Sequence, residues 1–254
     1  MSPAGSHKIN ATAVSFRILD LVKERDGATC SELVEDLDMP TSTVHDHLQT
    51  LTELGNLVKD GDEYHVSMKL LELGGYARTR SRLYDVAESE ILDVALETGD
   101  HANLMIAENG LGVFLLKRKG DKAVNLDTYE GKRVPLHTTA LGKSMLAFMD
   151  EDRVDRIIDE HGLPTVTANT IGDEAVLRQE LAEIRDRGYA TDDEERLEGI
   201  RCIAAPIRTD DHEVVGAISI TGLKNRMQGE YFQETIPEKV LRTANAIEVN
   251  MRHG

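Results

Sequence analysis

Hydrophobic residues recur at helical spacing in three successive segments near the start of the chain. In residues 41–55 they are Val44, Leu48, Leu51 and Leu54, whose steps of four, three and three place them on one helical face. The same periodicity predicts helices at residues 11–23 and 29–37. Their inward-facing positions are Val14, Phe16, Ile18, Leu19 and Val22 in the first helix, and Leu33, Val34 and Leu37 in the second.

The third helix is framed by turn signals on both sides. Pro40 favours an extended entry into the helix, and the hydroxyl side chains at residues 41–43 are placed to cap its first free amides. Gly55 ends the helix. Residues 56–59 and 63–67 then predict two short strands of a hairpin.

The polar face of the third helix supports two interpretations. Its candidate DNA-binding residues are Thr41, Ser42, Thr43, His45, Asp46, Gln49 and Thr50, with Lys59 from the hairpin. A single helix of this kind is more often an ordinary amphipathic surface helix. However, two helices, a tight turn, a third helix and a hairpin follow the order of a winged helix-turn-helix, whose third helix reads base edges in the DNA major groove. The full set favours a DNA-binding domain.

Residues 70–82 predict a linker helix with a break near Ser81. Its apolar stripe is either a simple connector or a dimer contact, because a small winged domain offers it no partner. From residue 101 the pattern changes to period two. Strands are predicted at residues 102–108, 112–119, 124–129, 188–192, 200–208 and 214–223, a loop at 131–135, and helices at 136–149, 151–160, 173–187 and 233–252.

Antiparallel strands with helices set apart from them predict an α+β fold. The predicted domains are a winged helix-turn-helix at residues 10–69, a linker helix at 70–82 and a second domain at 83–254. A short polar start at residues 1–9 is predicted to be disordered. The chain of 254 residues has no apolar run of membrane-spanning length and no signal-peptide core, so we expect a cytoplasmic protein without a membrane partner.

The net charge of −17 is unusual for a protein that meets DNA. Even residues 1–69 carry six Lys or Arg against twelve Asp or Glu. Either the winged domain binds a partner other than DNA, or the protein works in molar salt, where the Debye length is only about 3 Å. The second hypothesis is favoured, with the acidic surface serving solubility.

Small polar residues in the second domain indicate a pocket. Ser219 and Thr221 lie two apart on a strand and face the same side, where they form either a satisfied core pair or a pocket wall. Cys202 with His137 and Asp192 would resemble a nucleophile triad, but no local signature of such an enzyme is present. We therefore predict no catalytic residues, no metal site and no cofactor.

The chain resembles the IclR-type transcriptional regulators over nearly its whole length. The motifs are STVHDHLQTL at residues 42–51, VPLHTTALGKSMLA at 134–147, IRDRGYATDDEE at 184–195, and GIRCIAAPI followed by VVGAISITG. This resemblance implies a GAF-like effector-binding domain behind the winged helix-turn-helix. The implied effector-binding residues are Ala140, Leu141, Asp192, Cys202, Ser219 and Thr221.

The resemblance also implies partners and a role. These are double-stranded operator DNA, a small-molecule effector such as an organic acid or a sugar-derived metabolite, and assembly as a homodimer or a dimer of dimers. Asp46 stands where relatives commonly carry Arg, so it would repel DNA unless salt screens it. Together with the acidic surface, the chain looks like a salt-adapted archaeal member that controls catabolic genes. The alternatives are a metabolite-binding adaptor whose winged domain contacts protein, and a Cys202-dependent enzyme.

Overall fold

The computed structural model describes residues 9–253, and the chain divides into two compact units between Ala77 and Arg78. The predicted disordered start covers residues 1–9, of which residues 1–8 lie outside the described part. In the first unit, three helices and a hairpin follow the predicted order, and a two-residue strand that was not predicted precedes the second helix. These elements are α1 (Asn10–Glu24), β1 (Ala28–Thr29), α2 (Cys30–Leu37), α3 (Thr41–Glu53), β2 (Leu57–Asp60) and β3 (Glu63–Val66), with the strands antiparallel in the order β1-β3-β2.

The core of the first unit forms where the inward faces of its helices meet. It includes Ile18, Leu21 and Val22 from α1, Leu33 from α2, and Val44, Leu48 and Leu51 from α3. Two predicted core positions are wrong: Phe16 is 64% exposed and Leu54 is 57% exposed. Phe16 precedes Ile18 by two residues, which turns it to nearly the opposite side of the helix. Leu54 lies just past the last residue of α3.

The helix starts in this unit are satisfied in different ways. Thr29 and Glu32 form a reciprocal capping box at the start of α2. The predicted hydroxyl caps of α3 are wrong, because the position before the helix is Pro40 and no side chain caps it. Gly55 has a φ of 74°, so it ends α3 as predicted.

Two helices follow the hairpin. They are α4 (Lys69–Thr79), which contains the boundary between the units, and α5 (Arg82–Thr98). The predicted break is present, because the Ser81 hydroxyl accepts a hydrogen bond from the Tyr84 amide and so caps α5.

The second unit is built on one six-stranded antiparallel sheet in the order β6-β5-β4-β9-β8-β7. Its strands are β4 (His101–Glu108), β5 (Leu111–Lys119), β6 (Arg133–Pro135), β7 (Ala190–Asp193), β8 (Ile200–Arg208) and β9 (Val214–Leu223). The remaining helices are α6 (Ala140–Leu146), α7 (Glu151–His161), α8 (Glu174–Arg187) and α9 (Ile236–His253).

Alternation along the strands divides the core into two layers. Leu104, Ile203 and Ile218 pack with α5 and α9 on one face of the sheet. Met105, Ala204 and Ala217 pack with α6 and α8 on the other face. The predicted α+β architecture is confirmed. Within the described residues, no helix is both long and apolar enough to cross a membrane.

Two predictions between β5 and α6 are wrong. Residues 124–129 form no strand, and residues 133–135, predicted as a loop, form the edge strand β6. Two backbone carbonyls of this irregular segment accept from side chains instead of from a neighbouring strand. Lys117 Nζ lies 2.7 Å from the Thr128 carbonyl oxygen, and Lys132 Nζ lies 3.0 Å from the Asp127 carbonyl oxygen. Leu126 and Thr128 alternate because both line a cavity.

The predicted helix at residues 136–149 is interrupted. A short 3-10 turn, Leu136–Thr138, precedes Thr139, whose backbone is extended, and α6 begins at Ala140. The Thr139 hydroxyl then accepts from the Gly142 amide at 2.9 Å. The break exists because Thr139 caps a new helix rather than continuing the turn.

Candidate nucleic-acid interface and effector cavity

The polar face of α3 is free of internal contacts at its N-terminal turn. Thr41, Ser42 and His45 are exposed and Thr43 is half-buried. None of these four side chains has a hydrogen-bond partner among the described residues. Their donors and acceptors are therefore available to a ligand that approaches this end of the helix.

Further along α3, the predicted residues are exposed but partly engaged. Gln49 donates to Glu53 Oε1 at 2.9 Å, and the Thr50 hydroxyl donates to the Asp46 carbonyl at 2.8 Å. His47 faces α1, with its Nδ1 2.8 Å from the Ser15 hydroxyl. Six of the seven predicted α3 residues are thus exposed and Thr43 is half-buried, whereas His47 packs against α1.

Among the Lys and Arg residues of the first unit that the structure describes, three of five pair with carboxylates of the same unit. Arg17 pairs with Glu24 at 3.6 Å, and Arg25 pairs with Asp36 at 2.8 Å. Lys59 in the hairpin is different, since its ammonium lies 5.3 Å from the Tyr64 ring centre and has no ion pair among the described residues. It is the cation of this hairpin that remains available to a phosphate.

A row of polar side chains crosses one face of the large sheet. Asp192 on β7 is paired with Cys202 on β8, and Cys202 is paired with Thr221 on β9. The Thr221 hydroxyl donates to Cys202 Sγ at 3.0 Å. Asn103 on β4 donates from Nδ2 to the hydroxyls of Ser219 (3.2 Å) and Thr221 (3.3 Å). Four adjacent strands thus supply one polar surface.

This row borders a small cavity. Its volume is about 30 Å³, enough for a water molecule but far below the roughly 300–1,000 Å³ of ligand pockets. Its lining residues are Asn103, Phe114, Leu126, Thr128, Thr139, Leu141, Asp192, Arg196, Leu197, Ile200, Cys202 and Thr221.

Four of the six predicted effector residues line this cavity: Leu141, Asp192, Cys202 and Thr221. Ala140 and Ser219 do not line it and are fully buried. Sequence reasoning missed Asn103 and Arg196. Asn103 carried a signal, because it is a polar residue at an inward position of a period-two strand. Arg196 follows the TDDEE motif in a loop and carried none.

A buried ion pair holds the loop between β7 and β8 against α6. Lys143 is 1% exposed, and its Nζ lies 2.6 Å from both carboxylate oxygens of Glu195. The Glu195 amide donates to Asp192 Oδ1 at 2.7 Å. The hydroxyls of Thr167 and Thr170 donate to the backbone carbonyl oxygen of Glu195. Every polar group of Glu195 is therefore fixed, next to Arg196 and Leu197 of the cavity.

Burial changes the acid–base properties of the polar row. It raises the pKa of Asp192 to about 7, and the nearby charge of Glu195 adds to the rise. Burial also raises the pKa of the Cys202 thiol to about 12, with Asp192 as the second cause. Near neutral pH, Asp192 is thus close to half-protonated and Cys202 is a thiol.

These properties oppose the alternative of a Cys202-dependent enzyme. Nucleophilic cysteines have a lowered pKa, whereas that of Cys202 is raised. His137 does not line the cavity, and its Nε2 lies 3.0 Å from the Pro164 carbonyl oxygen. The triad Cys202, His137 and Asp192 is therefore not assembled.

Comparison with known families follows the two units. A family model described as "IclR helix-turn-helix domain" matches residues 11–61, and one described as "Bacterial transcriptional regulator IclR C-terminal" matches residues 77–249. The chain is 36% identical over 248 residues to the probable HTH-type transcriptional regulator ArcR of Halobacterium salinarum. That alignment covers 96% of this chain and 94% of the relative.

Solved structures agree with this result. The crystal structure of the Thermotoga maritima IclR is similar with a TM-score of 0.75 at 31% identity, over 95% of this chain and 98% of that chain. An IclR homolog from Microbacterium hydrocarbonoxydans, complexed with 4-hydroxybenzoate, shares the fold with a TM-score of 0.79 at 24% identity, over 96% of this chain and 100% of that chain.

The raised pKa of Asp192 predicts a pH-dependent cost to folding. The folded protein favours the protonated form of Asp192. The contribution of Asp192 to stability is therefore complete below the pKa that this group has in the unfolded chain, and it is lost as pH rises through about 7. Asp192→Asn should therefore gain stability relative to the parent protein between pH 5 and pH 8, by about 3 kcal/mol. Urea unfolding at both pH values measures this.

Asp193→Asn is the matched control, because Asp193 is paired with Arg201 and its pKa is lowered. This variant should show no such gain between pH 5 and pH 8. A difference between Asp192→Asn and the parent that stays constant across this range would contradict the assignment of a raised pKa to Asp192.

Proposed function

Because the chain belongs to the IclR family of transcriptional regulators, we propose that α3 binds operator DNA and that a small metabolite in the second unit changes this binding. The observation that carries the proposal is the exposed N-terminal turn of α3. Its hydroxyls at residues 41–43 and the His45 ring have no partner among the described residues. Polar side chains at this end of a third helix reach base edges in the winged helix-turn-helix arrangement.

The proposed DNA contacts fall into two groups. Ser42, Thr43, His45 and Gln49 face the bases, with Thr41 and Thr50 at the edges of the same face. Lys59 contacts a phosphate from the hairpin, because its ammonium has no internal ion pair. Asp46 lies on the same exposed face and repels the backbone unless salt screens its charge.

The proposed effector residues are those that line the cavity of the second unit. Leu141, Asp192, Cys202 and Thr221 contact the effector directly, and Ala140 and Ser219 support them from within the core. The proposed domains are residues 10–69 for DNA, 70–82 as a linker and 83–254 for the effector. The proposed effector is an organic acid or a sugar-derived metabolite, and the proposed role is the control of catabolic genes.

We also propose a homodimer, or a dimer of dimers, because a winged helix reads one half-site and operators pair two. Apolar side chains on α4 support this, since Leu71 is 70% exposed, Leu73 is 64% exposed and Tyr76 is 67% exposed. Leu73 and Tyr76 share one side of the helix and Leu71 lies nearly opposite Leu73, so the exposed apolar surface extends around α4. Such a surface in contact with water marks an interaction site.

Removing the base-reading side chains should abolish operator binding. The triple variant Ser42→Ala, Thr43→Ala and Gln49→Ala should lose about 100-fold in affinity, because each hydrogen bond that is removed contributes about 0.5–1.5 kcal/mol. A gel shift in molar KCl, with the DNA upstream of the protein's own gene, measures the loss.

Thr52→Ala is the control for this experiment. Thr52 is half-buried at the C-terminal end of α3, away from the N-terminal turn that is proposed to meet the bases, and its hydroxyl donates to the Leu48 carbonyl at 2.7 Å. Sequence-selective binding that survives in the triple variant would contradict the proposed interface. A complete absence of selective binding by the parent, at any salt concentration, would favour the adaptor alternative.

The charge of Asp46 gives a salt-dependent prediction. Asp46→Asn should tighten DNA binding about 3- to 10-fold at 0.1 M KCl and less than about twofold at 2 M KCl, because screening removes the repulsion. Fluorescence anisotropy titrations at the two salt concentrations measure this. Asp20→Asn on α1 changes the net charge equally, so an identical effect there would show that Asp46 has no local role.

Charging the exposed apolar surface of α4 should dissociate the assembly. The double variant Leu71→Glu and Leu73→Glu should sediment as a monomer and bind the operator weakly, because carboxylates cannot be buried between two copies at low cost. Val176→Glu is the control, since Val176 is 53% exposed on α8. A parent that sediments as a monomer, or a double variant that keeps the parent's mass, would contradict the α4 contact.

A further inference from the structure

Arg196 supplies the positive charge among the described residues that line the cavity. Its side chain is only 13% exposed, and its guanidinium carbon lies 5.5 Å from the Phe114 ring centre. A guanidinium removed from water in this way requires strong acceptors. The acceptors of Arg196 in the structure therefore show whether its guanidinium is satisfied by the protein alone.

The acceptors of Arg196 are weak. Nη1 donates to the Thr128 hydroxyl at 3.0 Å, and Nη2 lies 3.3 Å from Asp127 Oδ1. Asp127 is 57% exposed and makes a shorter contact, of 2.5 Å, with Lys132. Of the five N–H donors of a guanidinium, only these two have acceptors within the described residues. A bidentate carboxylate would satisfy Arg196 better than this arrangement does.

A second polar group in the cavity lacks a partner. Asn103 is 4% exposed and donates through Nδ2 to Ser219 and Thr221, but its Oδ1 is buried without a donor. A buried unsatisfied acceptor costs about 1–3 kcal/mol. A hydroxyl group of a ligand would satisfy it.

We propose that Arg196 is the residue that binds the carboxylate of the effector, and that the effector is a hydroxylated carboxylic acid whose hydroxyl donates to Asn103. This inference rests on the proposed function, since it names the ligand class of the same cavity. Asp127 acts as an internal competitor that occupies Arg196 until an acid replaces it. Arg196 thereby determines specificity for acids over neutral analogues.

The small size of the cavity agrees with this exchange. A volume of about 30 Å³ does not hold an organic acid, so the lining must move outward as the acid enters. Residues 120–131 contain Asp127 and Thr128 and have no regular secondary structure. The acid takes the place of Asp127 at Arg196, so one ion pair is exchanged for another and the guanidinium stays paired.

Cys202 provides a test that needs no knowledge of the natural effector. In a Cys30→Ser background, Cys202 is the one remaining cysteine. Iodoacetate and iodoacetamide both alkylate the thiolate: a sulfur–carbon bond forms, iodide leaves, and the thiol proton passes to solvent. The two reagents differ in charge, so the ratio of their rates, normalised to free cysteine, reports attraction of a carboxylate into the cavity.

Arg196→Gln should lower this rate ratio about fivefold or more, as expected for the loss of a local cation. Arg196→Lys should restore part of it, and Asp127→Asn should raise it, because the competitor is removed. Arg201→Gln is the matched control, since Arg201 lies five residues further on, pairs with Asp193 and does not line the cavity. All variants are compared at one pH, where Asp192 contributes equally.

An unchanged ratio in Arg196→Gln, or an equal fall in Arg201→Gln, would overturn the assignment. A second measurement is the thermal shift given by 4-hydroxybenzoate and by the neutral 4-hydroxybenzamide. The acid should stabilise the parent more than the amide does, and Arg196→Gln should remove that difference. A parent in which neither iodo reagent reaches Cys202 and the acid gives no shift would also refute the proposal. Operator binding is measured separately, so its failure would leave this result unaffected.

Discussion

The cavity of the second unit depends on one buried ion pair, between Lys143 of α6 and Glu195 of the loop after β7. Removing an ammonium group from water is costly, and the cost is recovered only where its partner is close and fully hydrogen-bonded. Here Nζ lies 2.6 Å from both carboxylate oxygens, and the amide and carbonyl of Glu195 are also engaged. Breaking such a pair costs about 3–5 kcal/mol, so the loop has one well-defined conformation, and this conformation places Arg196 and Leu197 at the cavity beside Asp192 of β7.

The sequence predicted those elements in which hydrophobic periodicity has a single cause. The strands at residues 200–208 and 214–223 were placed correctly because each alternates between two packed layers. Residues 124–129 also alternate, but there Leu126 and Thr128 line a cavity while side chains hold the backbone. A two-residue hydrophobic periodicity indicates which side chains point inward. It does not show whether the backbone pairs with a neighbouring strand.

The functional residues divide in the same way. The polar face of α3 could be predicted because its residues lie on consecutive turns of one helix, whose periodicity the sequence shows directly. Asp192, Cys202 and Thr221 came from a family resemblance, and their meeting on adjacent strands required the register of the sheet. Arg196 could not be predicted, because its place in the cavity depends on the Lys143–Glu195 pair. Lys143, a charged residue in an otherwise apolar helix, is the sequence signal for that pair.

The same irregular segment that closes the cavity also meets the end of α4. Glu130 accepts from Arg78 at 2.5 Å, from Arg118 at 3.2 Å, and from the Lys117 amide at 3.3 Å. Allosteric coupling requires about 1–3 kcal/mol, whereas one part-exposed ion pair contributes about 0.2–1 kcal/mol. Arg78 and Glu130 are 38% and 32% exposed, so their contact alone is too weak.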